Sequence, residues 1–235
     1  MNFDLNEDHI MIRKMVRDFA EEECAPGAEE RDEKEEFPLD LWKKCGELGL
    51  AGITFPEEYC GIGADYISYA ITIEELSKVD ASLGVTISAH SSLCANPIYK
   101  FGTEEQKQKY LAPLATGEKM GAFGLTESLA GSDASGTRTT YVKQGDEYII
   151  NGSKIFITNG SVDISVGSTV QAVTGEKDGK KEYSCIIVEK DTPGFTRRSM
   201  HGKMLWRASD TAELFFDNCR VPESHLLGKV GEGSH

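Results

Sequence analysis

The residues best suited to chemistry lie in two short segments in the second half of the chain. The first, residues 124–136 (GLTESLAGSDASG), combines three glycines with hydroxyl residues and two acids. Small residues let a backbone approach a flat or phosphorylated ligand closely, and backbone N–H groups with hydroxyls supply neutral donors for an anion. An ordinary Gly/Ser turn of a β protein has the same composition, so this glycine-rich segment leaves both interpretations open.

The second segment, residues 154–160 (KIFITNG), places an aromatic, a β-branched and a hydroxyl residue together at the expected end of a strand. Phe156, Ile157 and Thr158 could line a surface that binds a planar ring. The alternative is a plain hairpin whose Phe belongs to the core. This aromatic segment, like the first, does not settle a function from its composition alone.

Charge and composition restrict the classes of function. The chain has 235 residues, a net charge of −14 and a pI near 4.8. Such a chain repels phosphate backbones, which argues against broad nucleic-acid binding. With 39% hydrophobic and 27% charged residues it can bury a core, and we expect neither a membrane span nor a signal peptide. The six cysteines form no CxxC pair, which predicts reduced thiols in a cytoplasmic protein.

Other familiar chemistry is not indicated by the sequence. The five histidines have no metal-ligand spacing, so we expect no metal site. The Gly61-x-Gly63 pair lacks the third glycine and the preceding strand of a dinucleotide fingerprint. No Gly-x-Ser-x-Gly elbow of a hydrolase is present. The two segments above therefore remain the candidates.

The first half of the chain is predicted to be helical, and these helices would position the two segments. Apolar residues at helical spacing predict helices over about residues 6–24, 38–48, 66–76 and 82–100. The run from Thr103 to Gln106 has the pattern of a capping box that begins a further helix. The highly charged residues 28–36 are interpreted as a solvated turn.

The pattern changes near Gly117 to alternating β-branched and polar residues. Strands are predicted near residues 164–173, 182–190, 195–200 and 211–217, with a polar hairpin tip at 175–181. Gly167-Ser168 interrupts the first of these strands and weakens its assignment. The Asn-Gly steps at 151–152 and 159–160 predict hairpin turns. The predicted domains are a helical domain over residues 1–117 and a β domain over 118–235.

Taken together, the two segments resemble the acyl-CoA dehydrogenase family. The glycine-rich segment is similar to the family's first signature, and the aromatic segment to its flavin-stacking strand. Three further stretches fit in the same order and extend the resemblance over nearly the whole chain: residues 55–58 with 61–66, residues 101–107, and residues 207–214 before 220–222.

The resemblance implies an α+β fold in which an all-α N-terminal domain precedes an antiparallel, β-barrel-like domain. The family's C-terminal four-helix domain is not expected within these residues. It also implies an FAD cofactor, with Ser132 near the bound CoA ester and the Thr158 hydroxyl near flavin N5. By matching motif positions, the cofactor-binding residues would be Phe123, Leu125, Thr126, Gly131, Ser132, Phe156, Ile157 and Thr158.

The implied reaction is α,β-dehydrogenation of an acyl-CoA thioester, with the short-chain members the most similar. The family's base is a glutamate of the C-terminal domain, so we expect no catalytic base here and no turnover by this chain alone. The implied partners are an acyl-CoA, an electron-transfer flavoprotein and further copies in a homotetramer. Two alternatives remain: a non-catalytic module that binds a CoA ester or a partner, and a piece of an acyl-CoA oxidase.

Overall fold

The computed structural model describes residues 4–233, in which helices precede strands. Three π-helical turns, Ala20–Cys24, Ala89–Ala95 and Lys107–Leu111, continue the helices α1, α5 and α7. Residues 81–101 are therefore helical throughout, as the sequence predicted. The helices are α1 Glu7–Phe19, α2 Ala28–Lys34, α3 Leu39–Glu47, α4 Tyr66–Val79, α5 Ala81–Ser88, α6 Asn96–Phe101, α7 Glu104–Gln106 and α8 Ala112–Ala115.

Side-chain caps determine where several helices begin. The Asn6 side chain accepts from the N–H of His9 to start α1, and Asp65 does the same for α4. Asp80 lies between α4 and α5 and accepts from the N–H of Leu83. The capping box predicted at Thr103 is confirmed, because its hydroxyl accepts from Gln106 and the Gln106 side chain accepts in return. Such caps satisfy N–H groups that have no partner inside the helix.

The prediction of a solvated turn over residues 28–36 was wrong, because α2 occupies most of that range. A short charged helix has little stability alone, so contacts distant in sequence hold it. The guanidinium of Arg31 donates to the carbonyl of Cys24 at 2.6 Å and to Asp80 at 3.0 Å. Local charge patterning could not indicate a partner 49 residues away.

The strands form one mixed, mostly antiparallel sheet with the order β6-β7-β3-β2-β4-β5-β8, and β1 pairs with β4. The β1–β4 and β2–β4 pairings are parallel and the others antiparallel. The predicted fold class, helices followed by a largely antiparallel sheet, is confirmed. The strands are β1 Met120–Gly124, β2 Thr140–Gln144, β3 Glu147–Thr158, β4 Ser165–Lys177, β5 Lys180–Glu189, β6 Phe195–Ser199, β7 Thr211–Pro222 and β8 Leu226–Leu227.

The hairpin turns predicted at the two Asn-Gly steps were wrong. Asn151 and Gly152 lie inside β3, where the register with β7 shifts, and Gly152 has φ +143°. A Cβ on Gly152 would lie 2.7 Å from the Cα of Thr139, so close backbone approach requires this glycine. Asn159 directly follows β3, which does not pair with β4, and its side-chain amide donates to the carbonyl of Thr86 in α5 at 3.1 Å.

The interrupted strand predicted near residues 164–173 is present as β4, and it extends to Lys177. Gly167 accommodates the interruption with φ +128°, where a Cβ would lie 2.0 Å from the carbonyl oxygen of Val188. The predicted hairpin tip over 175–181 is much shorter, because β4 and β5 pair as far as Lys177 and Lys180. Only Asp178 and Gly179 remain in the turn, both at positive φ.

Apolar burial joins the helical and sheet regions. One core fills the sheet, and a second packs α1, α3, α4 and α5 around Trp42 and includes Met120 of β1. A third joins α6 and the segment leading to α8 to Ile187 of β5 and Leu227 of β8. No helix among residues 4–233 is long and apolar enough to cross a bilayer. The loops that follow β1 and β3 are thus held by the helical region on one side and by the sheet on the other.

Candidate functional site

The structure brings the glycine-rich and aromatic segments into direct contact. The N–H of Ile155 donates to the carbonyl of Thr126 at 2.9 Å. Gly124 lies against the same strand, since a Cβ there would be 3.3 Å from Cγ of Lys154. The two segments that contain the predicted cofactor-binding residues therefore lie side by side instead of forming two separate turns.

A buried ion pair, which the sequence did not predict as part of the site, connects the two segments. The Lys154 ammonium lies 2.9 Å from the Glu127 carboxylate and 2.9 Å from the carbonyl of Leu125. The same carboxylate accepts the N–H groups of Arg138 at 2.8 Å and Thr139 at 3.0 Å. The Lys154 side chain is fully buried. The pair therefore joins the start of the loop, its exit toward β2, and strand β3.

The environment favours the ionised form of Glu127, whereas burial opposes the charge of Lys154. Burial alone would raise the pKa of Glu127, but hydrogen bonds from Lys154, Thr139 and Arg138 outweigh it and hold that pKa below its usual value. Burial lowers the pKa of Lys154, and the neighbouring Glu127 carboxylate opposes that change. A carboxylate that is already bound by two backbone N–H groups and an ammonium is a poor base. These hydrogen bonds give Glu127 a structural role, because they join the start of the loop to its exit and to β3.

The outer part of the glycine-rich segment is exposed. Gly131 and Ser132 are both exposed, and a Cβ on Gly131 would meet no atom within 4 Å. Strand β5 supports the far end of the loop, where Lys181 donates to the carbonyl of Thr137 at 2.8 Å and Tyr183 to that of Ser135 at 2.7 Å. The loop thus has fixed ends and an accessible centre.

The aromatic segment presents one ring and one hydroxyl. Phe156 is 61% exposed and has φ +62°, an uncommon backbone conformation for a bulky residue. Thr158 is half-buried beside Thr211 of β7. The Ile157 side chain lies in the sheet core, so this residue can offer an external ligand only its backbone.

Two predicted residues lie on the strand side of the loop. Leu125 is half-buried and follows β1 directly. Phe123 is half-buried and lines a cavity of about 360 Å³ with Phe101, Cys185 and Leu227 among its other walls. This apolar cavity lies where α6 and β8 meet the sheet. The site therefore borders both the helical region and the strands.

Unused donors distinguish the centre of the site. Among residues 4–233 the hydroxyls of Thr126, Ser132 and Thr158 make no hydrogen bond to protein, unlike the hydroxyls of Thr137 and Thr139 nearby. Half-buried or exposed neutral donors beside an exposed ring suit a ligand that is both planar and anionic. The arrangement can bind and polarise such a ligand without adding formal positive charge.

Comparisons with known proteins agree with this geometry. The N-terminal domain model of acyl-CoA dehydrogenases matches residues 6–118, and the middle-domain model matches residues 122–219. The chain is 50% identical over 233 residues to a short-chain-specific acyl-CoA dehydrogenase of Clostridium acetobutylicum, covering 99% of this chain and 61% of that protein. It thus spans about three-fifths of that relative's length.

Two solved structures are similar over almost the whole chain. One is a chain from the study of the electron transferring flavoprotein of Acidaminococcus fermentans, with TM-score 0.93, 53% identity, and coverage of 99% of this chain and 61% of that one. The other is an acyl-CoA dehydrogenase of Bacillus anthracis complexed with FAD, with TM-score 0.89, 40% identity, and coverage of 98% and 39%. The chain belongs to the acyl-CoA dehydrogenase family and carries the family's N-terminal and middle domains.

Proposed function

We propose that this chain supplies the FAD-binding wall of an enzyme that dehydrogenates short-chain acyl-CoA thioesters between the α and β carbons. One observation carries the proposal: the 2.9 Å hydrogen bond from Ile155 to Thr126 brings the two predicted flavin segments together. Family membership and the FAD complex of the Bacillus anthracis relative support it. We place the domain boundary between residues 117 and 118, in the interval between α8 and β1.

The residues present fit FAD in their chemistry. An isoalloxazine is planar and gains negative charge on reduction, and the dinucleotide carries phosphates. Phe156 offers an exposed apolar ring, and Thr126 and Thr158 offer hydroxyls without a hydrogen-bond partner among residues 4–233. Gly131 and Ser132 are exposed residues of the loop. In a chain with net charge −14, such neutral donors avoid the need for a buried cluster of cations.

The mechanism assigns binding and orientation to these residues. When bound, FAD supplies the hydride acceptor. The Thr126 and Thr158 hydroxyls donate hydrogen bonds in fixed positions, so they stabilise negative charge without reorganising during the reaction. Phe156 excludes water from one face of the site. Ser132, on the exposed part of the loop, contacts the CoA ester.

The α-proton must be removed by a group outside the two segments. Residues 124–136 contain two carboxylates, Glu127 and Asp133. The Glu127 oxygens already accept from Lys154, Arg138 and Thr139. Asp133 accepts from the N–H of Ser135 within the loop. We therefore propose that residues 124–136 and 154–160 contribute no catalytic base, and that these 235 residues show no dehydrogenase turnover by themselves.

The proposal includes partners and a location. The assembled enzyme takes an acyl-CoA as substrate, passes electrons to an electron-transfer flavoprotein and forms a homotetramer. The solved chain similar to this one comes from a study of an electron transferring flavoprotein, which supports that acceptor. The six cysteines are all free thiols, which suits a reducing compartment such as the cytoplasm.

Anaerobic reduction of the flavin by substrate tests the function. The full-length protein that contains this chain, loaded with FAD, should lose its flavin absorbance when a short-chain acyl-CoA is added. Absence of bleaching with acyl-CoA of any chain length would overturn the proposal. Oxygen consumption without another acceptor would assign an oxidase instead. Stable FAD binding by a monodisperse full-length protein without turnover would assign a non-catalytic module.

Replacement of Thr158 tests its role as a donor. Thr158→Val keeps the shape of the side chain but removes the hydroxyl, so the rate of flavin reduction should fall by roughly a hundredfold. Thr158→Ser restores the donor and should recover most of that rate. Equal rates for the Val and Ser variants in stopped-flow reduction would remove Thr158 from the mechanism.

A further inference from the structure

The buried Lys154–Glu127 pair connects three parts of the chain at the base of the proposed flavin site. Lys154 lies on β3, two residues before Phe156, and Glu127 directly follows Thr126. The ammonium donates to the carboxylate and to the carbonyl of Leu125, both at 2.9 Å. The carboxylate accepts from the N–H groups of Arg138 and Thr139 on the returning limb of the loop. One ion pair thus fixes both limbs of the loop against the strand.

Burying this ion pair costs free energy, and an ordinary turn forms without such a pair. Removing two charges from water is unfavourable, and well-packed apolar residues often replace such pairs without loss of stability. The turn from Glu127 to Ala130 already closes through two backbone hydrogen bonds of 2.9 and 3.1 Å. The ion pair therefore adds little that the turn itself needs. What it adds is a second attachment of the loop to β3, beside the hydrogen bond from Ile155 to Thr126.

Near its start the loop has one other attachment to β3, the hydrogen bond from Ile155 to Thr126. Leu129 is 67% exposed, and Ser128, Gly131 and Ser132 are exposed. The supports from Lys181 and Tyr183 reach only Ser135 and Thr137, at the far end. Near Thr126 the loop is held by the Ile155 hydrogen bond and by the Lys154–Glu127 pair.

We propose that Lys154 and Glu127 are positioning residues that preset the separation of the Thr126 and Thr158 donors for FAD. Neither side chain needs to touch the cofactor, because each acts through the backbone of residues 125–127 and 154–158. The inference deepens the proposed function and depends on it. It predicts that loosening the pair weakens FAD binding in a protein that is still folded.

Paired substitutions separate positioning from simple stabilisation. Lys154→Met and Glu127→Gln each leave one buried partner unpaired, whereas the double variant leaves no uncompensated charge. We expect each folded variant to bind FAD about tenfold more weakly, as the loss of one well-placed hydrogen bond would cause. The double variant should be no worse than either single variant, because the pair acts as one unit. The flavin's visible circular dichroism should change in the same variants.

A matched control comes from the helical region. Glu75 is also a buried carboxylate, paired with Arg17 and Lys78 between α1 and α4. Glu75→Gln should lower the unfolding temperature while leaving the FAD dissociation constant and the visible circular dichroism unchanged. The full-length protein is used throughout, with binding followed by flavin fluorescence and folding by far-UV circular dichroism.

The outcomes distinguish this inference from the proposed function. If the unmodified protein does not bind FAD, the proposed function itself fails. If it binds FAD and the folded double variant binds equally tightly with the same visible spectrum, the pair has no positioning role. Should a single variant fail to fold, the double variant decides, since it buries no unpaired charge.

Discussion

Acidification should destabilise the fold through His90, a residue outside the two candidate segments. The imidazole is completely buried and lies edge-on to Trp42 at 4.8 Å. Its Nδ1 accepts the N–H of Gly121 at 3.2 Å, so Nε2 carries the proton and donates to the carbonyl of Leu114 at 3.0 Å. The ring therefore joins the helix containing residues 89–95 to α8 and β1 in its neutral form.

Protonation of His90 would place a charge in the core and remove the acceptor for Gly121. Burial lowers the pKa of His90 from 6.5 to about 4. Because the folded pKa lies below the unfolded one, the unfolded chain binds more protons between these values. The contribution of neutral His90 to the free energy of unfolding is full above pH 6.5 and is lost as the pH falls toward 4. The complete loss is about 3 kcal/mol, of which about 2 kcal/mol has occurred at about pH 5.

Urea unfolding of the native protein and of His90→Gln, at about pH 7.5 and about pH 5, isolates this contribution. Glutamine keeps one donor and one acceptor but does not titrate. The variant should be less stable at neutral pH, and the gap should shrink by about 2 kcal/mol at the lower pH. Titration of every other group cancels in the comparison. A gap that stays constant with pH would refute the assignment of a neutral, buried His90.

Two further predictions concern packing and charge. Gly121→Ala would place a Cβ 2.2 Å from Sγ of Cys94 and should lower the free energy of unfolding by about 2 kcal/mol; Gly131→Ala, with open space around it, is the control and should stay within about 0.5 kcal/mol. The hydrogen bond from Arg17 lowers the pKa of Glu75 to about 2, so its stabilising effect is present above pH 4.5 and is lost as the pH falls toward 2. Glu75→Gln should lower the free energy of unfolding at neutral pH by about 3 kcal/mol. An unchanged urea midpoint would show that the ion pairs of Glu75 with Arg17 and Lys78 do not stabilise the fold.

Elements governed by neighbours in sequence were predictable. The helical spacing of apolar residues located α1, α3, α4 and the long helix over residues 81–101, and the capping box at Thr103 appears as expected. Alternating residues located β4 to β7. These patterns work because an amphipathic helix or strand requires one apolar face, whatever it packs against.

Elements that depend on distant partners were not predictable. The helix α2 was interpreted as a turn because nothing in residues 28–36 indicates that Arg31 will pair with Asp80. The step Asn151-Gly152 has the composition of a hairpin turn. Its glycine instead allows Thr139 to approach inside a continuous strand. In both cases a tertiary contact overrode the local preference.

The sequence by itself determined which residues could carry the chemistry: the hydroxyls, small residues and aromatic ring of residues 124–136 and 154–160. Only the tertiary structure decided that these segments meet and what holds them together. Lys154 and Glu127 are 27 residues apart with a complete strand between them. Each is of a charged residue type that is usually exposed to solvent. Their burial depends on β3 passing alongside the loop that leaves β1. That arrangement follows from the order of the whole sheet, which no local pattern of residue types encodes.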